Sequence, residues 1–175
     1  PTDLVNPVAV FAGGNNTCAI DDSGVDCWGY NMFWSHDVPT DLVNPVAVAA
    51  GAYHICVIDD NGLRCWASWM DVNGDSGGGL GQATVPTDLV NPVAVAAGDR
   101  HTCAIDDNGV QCWGDNSSGQ TSVTAGLVNP VSVSAGWSHT CALDDNGVQC
   151  WGSNDAEEST VPTNLDNPVV LALAS

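Results

Sequence analysis

Gly98 to Asn116 read GDRHTCAIDDNGVQCWGDN. Two β-rich runs, HTCAI and VQCWG, flank the tetrapeptide DDNG. Asp and Asn favour the first positions of a turn, and Gly accepts the left-handed conformation that closes it. The segment therefore predicts an antiparallel hairpin. The apolar run from Val93 to Gly98 predicts a further strand before it, and nothing in the unit has a helical period.

The unit recurs along the whole chain. An Asn-Pro-Val segment returns at steps of 38, 47, 38 and 38 residues, and a pair of cysteines follows each of its first four copies. The prolines of these segments are Pro7, Pro45, Pro92, Pro130 and Pro168. We interpret residues 1–175 as a single repeat array. Its units lie at approximately 1–38, 39–85, 86–123 and 124–161, with a partial unit at 162–175.

The hydrophobic pattern within a unit indicates how the sheets are arranged. Cys112 and Trp113 are neighbours on one strand, so their side chains leave opposite faces of the sheet. Both residue types favour burial, so each sheet should be covered on both sides. A radial stack of small sheets provides this environment. We therefore predict an all-β, β-propeller-type tandem repeat with four blades and a spare fifth first strand, either a closed small propeller or a superhelical array.

The eight cysteines are predicted to form disulfides. Repeat symmetry pairs each cysteine with the one nine positions later, across the hairpin. The predicted bridges are Cys18–Cys27, Cys56–Cys65, Cys103–Cys112 and Cys141–Cys150. On a chain-entropy estimate, a bridge closing so short a loop stabilises the fold by roughly 2–3 kcal/mol. Disulfides predict an oxidising compartment, so the chain is expected to be extracellular, either secreted or on a cell surface.

A metal site is the alternative interpretation of the same residues. His101 and Cys103 lie on one strand face, and Cys112 lies across from them. Zinc accepts such ligands.

Charge excludes several classes of partner. The net charge is −19, and the only basic residues other than histidine are Arg64 and Arg100. Nucleic acid and anionic membrane surfaces both attract clustered Lys and Arg, so neither is an expected partner. No apolar run approaches the roughly 18 residues of a membrane span, so we expect no membrane insertion.

The repeat resembles a known family. The pattern Gly-x-x-His-Thr-Cys-Ala-(Ile/Leu)-Asp-Asp-Asn-Gly-Val-Gln-Cys-Trp-Gly-x-Asn runs from Gly98 to Asn116 and from Gly136 to Asn154. It is similar to repeats of the regulator-of-chromosome-condensation family, whose seven-bladed members are closed propellers. This chain has four repeats, shorter units and paired cysteines. Asn16 replaces the histidine in the first repeat, and Ala67 replaces the glycine after tryptophan in the second.

The resemblance implies further roles. It implies that the histidine of the pattern hydrogen-bonds backbone inside its own blade, and that Val-Pro-Thr at Val38, Val85 and Val161 is a short outer strand. The family's nuclear role in nucleotide exchange and chromatin binding is not expected here, because of the acidity and the disulfides. The tryptophans of the pattern are expected in the core: Trp28, Trp66, Trp113 and Trp151.

No constellation in the sequence provides a nucleophile, a base and a charge stabiliser, so we do not expect an enzyme. Gly74 to Gly78, GDSGG, matches the peptide around a trypsin-like nucleophile, but it lies in the insertion of the second repeat. His36 has no partner in the sequence. The paired aspartates are interpreted as exposed turn formers. They are Asp21/Asp22, Asp59/Asp60, Asp106/Asp107 and Asp144/Asp145.

Two kinds of modification or ligand are candidates. Asp71, Asn73 and Asp75 place oxygen ligands at alternating positions, as at the start of a calcium loop. No cofactor is required, and calcium is the candidate ion for these three residues. Asn15 and Asn116 begin glycosylation sequons.

The functional prediction is a non-catalytic extracellular structural or interaction repeat protein. The fifth Asn-Pro-Val segment has no hairpin, and an unpaired strand edge invites pairing with another subunit. We therefore expect the protein to associate with itself, head to tail, into a filament or ring. The alternative is a secreted monomeric propeller that binds a protein or glycan. The predicted contact residues are Trp34, Trp69, Trp137, Val169, Leu171 and Leu173.

Overall fold

A computed structural model of the chain describes residues 3–14, 16–29, 37–67, 80–165 and 168. These ranges contain twelve strands and no helix. The strands are β1 (Ala9–Gly13), β2 (Asn16–Asp21), β3 (Gly24–Gly29), β4 (Ala47–Ala50), β5 (Ile55–Asp59), β6 (Gly62–Trp66), β7 (Ala94–Ala97), β8 (His101–Asp106), β9 (Gly109–Gly114), β10 (Ser132–Ala135), β11 (His139–Asp144) and β12 (Gly147–Gly152). They form four antiparallel sheets of three consecutive strands each, which we call blades one to four.

Each blade contains the hairpin that the sequence predicts. In blade three, Asp106 pairs with Gly109 across the turn, and Gly109 has a φ of 114°. A residue with a side chain rarely adopts this conformation, which explains the glycine at this position of every repeat. Cys103 lies opposite Cys112, with their Cα atoms 4.1 Å apart. This spacing is close to that of a non-hydrogen-bonded antiparallel pair.

The structure contains four disulfides, in the pairs that repeat symmetry selects. They are Cys18–Cys27, Cys56–Cys65, Cys103–Cys112 and Cys141–Cys150. No cysteine is free. The cysteines are therefore not available as thiolate ligands, and the zinc interpretation of His101, Cys103 and Cys112 is wrong for this structure.

The expected outer strand is absent from the described blades. Val38, Val85 and Val161 lie outside any strand, and each blade has three strands. A proline follows each of these valines. Because proline has no N–H to donate to a ladder, these segments are poor partners for a further strand.

The blades pack side by side in chain order, with their first strands at the centre. Residues of β1, β4, β7 and β10 line one central cavity of about 240 Å³. Apolar side chains of neighbouring blades share core clusters: one cluster contains Ile20 and Val48, and another contains Ile105 and Val133. In the described part of the chain the arrangement is not closed into a ring. The sequence leaves closure undecided, and the described part of the structure is an open array.

Removing one bridge should destabilise the array measurably. The double variant Cys103→Ala/Cys112→Ala is expected to lower the free energy of unfolding by about 2–3 kcal/mol, because the unfolded chain regains the freedom of the closed loop. Chemical denaturation under oxidising conditions measures the difference. Under reducing conditions the wild type should lose more stability than the variant, which has one bridge fewer to lose. Equal stability of the oxidised proteins would contradict the prediction.

Candidate interaction surfaces

The first aspartate of each pair is a buried anchor, which corrects the expectation that both lie in exposed turns. Asp106 is only 6% exposed. Its carboxylate accepts hydrogen bonds from the Asn108 N–H at 2.8 Å, from the Gln111 side chain at 3.1 Å, and from the Val90 N–H at 2.8 Å. Burial acts to raise the pKa of Asp106, but the backbone N–H groups of Val90 and Asn108 outweigh it and hold the pKa below its ordinary value.

The second aspartate is exposed and holds a different group. Asp107 accepts a hydrogen bond from the Asn91 side chain at 2.6 Å. Asn91 has a φ of 50°, and asparagine tolerates this left-handed conformation better than most residues. The same bond recurs at 2.6–2.7 Å in the other blades, as Asn6–Asp22, Asn44–Asp60 and Asn129–Asp145. The paired aspartates therefore tie each hairpin to the Asn-Pro-Val segment of its own blade.

The two aspartates should differ in their effect on stability. Asp106→Ala removes a charged acceptor from buried N–H groups and is expected to lower the free energy of unfolding by about 3 kcal/mol. Asp107→Ala, the matched control, removes one exposed hydrogen bond and should cost about 0.5 kcal/mol. Urea denaturation of both variants measures the difference. Similar losses would contradict the assignment of Asp106 as the anchor.

A repeated hydrogen-bonded joint connects one blade to the next. His101 of blade three contacts Thr140 of blade four, with 2.9 Å between Nε2 and Oγ1. The Thr140 hydroxyl donates to the carbonyl oxygen of Gln120 at 2.9 Å, and the indole N–H of Trp151 donates to the same oxygen at 2.9 Å. Because the hydroxyl hydrogen is used in this way, the histidine Nε2–H must be the donor to Thr140. We call this set of groups the inter-blade joint.

Blades two and three share the same joint. His54 Nε2 lies 2.7 Å from Thr102 Oγ1, and Gln82 supplies the carbonyl. Burial lowers the pKa of His54 to about 3, assisted by the nearby His101. Burial also lowers the pKa of His101 to about 4. Both rings are therefore neutral at physiological pH. The expectation that the histidine bonds backbone inside its own blade is wrong, because its partner is a side chain of the next blade.

The joint between blades one and two has different residues at both positions. Asn16 replaces the histidine, and its side chain donates to the Gly51 carbonyl oxygen at 3.3 Å. Ile55 takes the position that threonine has in blades three and four. A histidine at Asn16 would therefore have no hydroxyl to bind. The two departures from the repeat compensate for each other.

The loops between the first and second strands of the blades form a second surface, at the sheet ends opposite the Asp-Asp turns. The Arg100 guanidinium lies over the Tyr53 ring, 5.1 Å from its centroid, and its Nε lies 3.5 Å from the Asp99 carboxylate. The Asp99 N–H donates to the Trp137 carbonyl oxygen at 3.3 Å, and the Trp137 side chain is 70% exposed. Burial raises the pKa of Asp99 despite Arg100 and Trp137. We call Tyr53, Asp99, Arg100 and Trp137 the loop-face cluster.

The loop-face cluster lies where the otherwise regular repeat varies. These residues occupy the two variable positions of Gly-x-x-His, in three different blades. The repeat supplies a constant scaffold below them. Trp137, predicted as a contact residue, is therefore exposed among polar groups of neighbouring blades.

Several predicted site residues lie outside the described residues. They are the calcium candidates Asp71, Asn73 and Asp75, the contact candidates Trp34, Trp69, Val169, Leu171 and Leu173, and Asn15, His36 and Gly74–Gly78. The predictions for these residues stay predictions. Asn116 is described and exposed, and its side-chain oxygen accepts a hydrogen bond from the Thr121 N–H at 3.0 Å. Its glycosylation also stays a prediction.

The pattern tryptophans differ in burial. Trp151 is buried, whereas Trp28, Trp66 and Trp113 are partly buried.

The described residues contain no group of three or more His, Cys, Asp or Glu side chains that could hold a metal ion. They also contain no helix that could cross a membrane. The geometry defines an array of β-propeller blades. Buried polar side chains join neighbouring blades, and a different set of side chains varies on one loop face.

Comparison with known proteins agrees with this class. Residues 93–120 and 131–156 match the family model of the regulator of chromosome condensation (RCC1) repeat. The repeats of blades three and four therefore match the RCC1 repeat, and the fold of the chain is similar to that of RCC1-type repeat propellers. No curated protein sequence is significantly similar to the chain.

Solved structures with similar folds include plant receptor ectodomains. The ectodomain of the receptor kinase CR4 from Physcomitrella patens is 28% identical, with a TM-score of 0.67 over 91% of this chain and 44% of that one. The ectodomain of ACR4 from Arabidopsis thaliana is 24% identical, with a TM-score of 0.62 over 85% of this chain and 50% of that one. Prp20p from Saccharomyces cerevisiae is 20% identical, with a TM-score of 0.69 over 92% and 48%. The chain spans about half the length of these structures.

Proposed function

We propose that this chain is a non-catalytic extracellular interaction domain that associates with itself, head to tail, into a ring or filament. The four disulfides and the similarity to plant receptor kinase ectodomains support the extracellular assignment. The structure of Prp20p was described with its binding properties to Gsp1p and histones, which is an interaction role in a protein of the same fold. The net charge of −19 argues against nucleic acid as a partner.

The observation that carries the proposal is the open array. Each inner blade is covered by a neighbour on both faces, and these contacts follow chain order. Blades one and four each have one such neighbour in the described part of the chain. Because the repeats are alike, the two faces of blades one and four that no described blade covers are complementary to each other. Complementary faces of this kind join head to tail, and they produce rings when the rotation closes and filaments when it does not. Two copies would supply eight blades, within the range of about 4–8 found in propellers.

The fifth Asn-Pro-Val segment is proposed to take part in the same contact. In every described blade the equivalent segment leads into the first strand, which pairs with the second strand. Residues 167–174 repeat that sequence. We propose that this segment, with Val169, Leu171 and Leu173, adds to the first sheet of the next copy.

Sedimentation equilibrium of the chain tests self-association. We expect the average mass to rise above that of one chain as concentration increases through the micromolar range. Because every copy carries a net charge of −19, added salt should screen the repulsion between copies and strengthen association. A variant lacking residues 169–175 should associate less strongly if the fifth segment contributes. A single-chain mass at every concentration and salt level would contradict the proposal.

The loop-face cluster favours a second candidate function, binding of a protein or glycan. An exposed tryptophan beside Asp99 and Arg100 combines an aromatic surface with hydrogen-bonding groups, as binding surfaces often do. Trp137→Ala should then abolish binding of a glycan identified on a glycan array. Val131→Ala, which changes an exposed residue outside the cluster, is the control. Retained glycan binding by Trp137→Ala would exclude this surface.

A further inference from the structure

Blades one and four each carry one half of an inter-blade joint on the face that no described blade covers. Thr17 follows Asn16 on β2, so their side chains leave opposite faces of the sheet. Asn16 bonds blade two, so Thr17 lies on the face of blade one that points away from blade two. Thr17 is partly exposed, whereas its equivalents Thr102 and Thr140 are 0% exposed. Among the described residues, neither Thr17 Oγ1 nor the indole N–H of Trp28 has a hydrogen-bond partner.

The opposite end carries the matching histidine. His139 precedes Thr140 on β11, and Thr140 bonds blade three, so His139 points away from blade three. Its ring lies over Gly136, as the ring of His101 lies over Gly98. The ring therefore has the orientation of the histidine in a complete joint. It is partly exposed, and it has no hydrogen-bond partner among the described residues.

The acceptor carbonyl of a joint is also present at this end. In the joint between blades three and four the carbonyl belongs to Gln120, which follows a turn with Gly119 at a φ of 83°. Glu157 has a φ of 64° at the equivalent position, and Glu158 follows it. The Ser122 N–H donates to the Gly119 carbonyl at 3.0 Å.

The turn before Glu158 repeats these hydrogen bonds. The Thr160 N–H donates to the Glu157 carbonyl at 3.0 Å, as Ser122 does to Gly119. The Ala156 N–H donates to the Glu158 side chain at 2.7 Å, as the Ser118 N–H does to the Gln120 side chain at 2.9 Å. The Glu158 carbonyl is therefore held as the Gln120 carbonyl is.

We infer that blade four of one copy binds the outer face of blade one of a second copy through a complete inter-blade joint. His139 Nε2–H donates to Thr17 Oγ1 of the second copy. The Thr17 hydroxyl and the Trp28 indole N–H both donate to the Glu158 carbonyl. This inference rests on the proposed self-association and names its contact. Thr17 and Trp28 lie on β2 and β3, so the joint is the same whichever segment supplies the first strand of that blade.

Point variants at the two ends test the inference. Thr17→Val removes the hydroxyl from one end, and His139→Ala removes the donor from the other. Each should weaken self-association by about tenfold or more, because buried partners lose their hydrogen bonds. Thr124→Val, at a partly buried threonine in the link between blades three and four, should leave association unchanged. Thr140→Val alters the joint between blades three and four within one chain, so it should lower the melting temperature.

Mixing the two end variants gives a sharper result. Thr17→Val retains an intact His139 end, and His139→Ala retains an intact Thr17 end. The mixture should form one-to-one dimers with the affinity of the wild-type contact and nothing larger, because the remaining ends are both defective. Sedimentation velocity with one variant labelled measures this. A structural defect in either variant would not produce such complementation.

Other outcomes separate the inference from the proposed function. Undiminished association of Thr17→Val and His139→Ala, in a wild type that does associate, would overturn the joint and leave self-association standing. Loss of association on deleting residues 169–175, with the point variants unaffected, would also overturn it. A wild type that stays a single chain would overturn both.

Discussion

Gly98→Ala is expected to lower the free energy of unfolding by about 3 kcal/mol, because a methyl group has no room there. A Cβ on Gly98 would lie 2.5 Å from the carbonyl oxygen of Gly136 in the next blade, and it would overlap the His101 ring. The φ of Gly98 lies outside the left-handed region, so the effect is steric overlap and not backbone strain. The ring must move, and the contact between His101 and Thr140 is lost with it. Thermal unfolding should show a fall of about 10 °C.

Gly126→Ala is the matched control for this substitution. Gly126 has a φ of 92°, and no atom lies within 4 Å of a Cβ built there. Alanine at Gly126 therefore suffers backbone strain of about 1–2 kcal/mol without a clash. If Gly98→Ala were no more harmful than Gly126→Ala, the close packing of blades three and four around Gly98 would be wrong.

Stability is expected to fall as pH decreases from about 6.5 to 4. An unfolded histidine has a pKa of about 6.5. Burial lowers the folded pKa to about 3 for His54 and to about 4 for His101. Between these values the unfolded chain binds more protons than the folded chain. The stabilisation is complete above the unfolded pKa and is lost as pH falls toward the folded values. The two residues together give a slope of up to about 2.7 kcal/mol per pH unit.

The buried first aspartate of each pair affects the free energy of unfolding at a lower pH than the histidines do. Asp21, Asp59, Asp106 and Asp144 have folded pKa values below 3.8, so their stabilisation is lost only as pH falls below that value. Urea denaturation at several pH values separates the two windows. His101→Asn, which copies the residue of blade one, should be less stable at pH 7 and have about half the slope between pH 6.5 and 4. A flat profile in that range would contradict the buried, neutral histidines.

The hairpins and disulfides could be predicted from the sequence because they are local. The turn Asp107-Asn108 and the pairing of Cys103 with Cys112 involve residues within nine positions of each other. Repetition of the unit then removed the ambiguity of a single match. The blade architecture followed from adjacent cysteine and tryptophan, which require cover on both faces of the sheet.

The inter-blade joint could not be predicted with the same reasoning. His54 and Thr102 are 48 residues apart, and their contact depends on how one blade stacks on the next. The sequence does contain a signal of the joint. Threonine follows histidine in the repeat, and because successive side chains of a strand alternate, the two lie on opposite faces of the sheet. Only the stacked blades show that the histidine of one repeat meets the threonine of the next. The burial of Asp106 was missed for a related reason, because its carboxylate also binds Val90, 16 residues earlier.

The compensating residues of blades one and two show the same limit. The sequence shows Asn16 as a departure from the pattern, but only the joint between blades connects it with Ile55. The sequence also does not decide whether the array closes into a ring, because four repeats are compatible with both a closed ring and an open array. Packing between blades, and not propensity within them, settles these features.

Electron microscopy of the purified protein at modest concentration tests the central claim, head-to-tail assembly of an open array, most directly. We expect rings or regular filaments, which the Thr17→Val and His139→Ala variants lose. Isolated particles of one chain's size, at every concentration and salt level, would contradict it. The loop-face cluster around Trp137 would then become the surface on which to search for a partner.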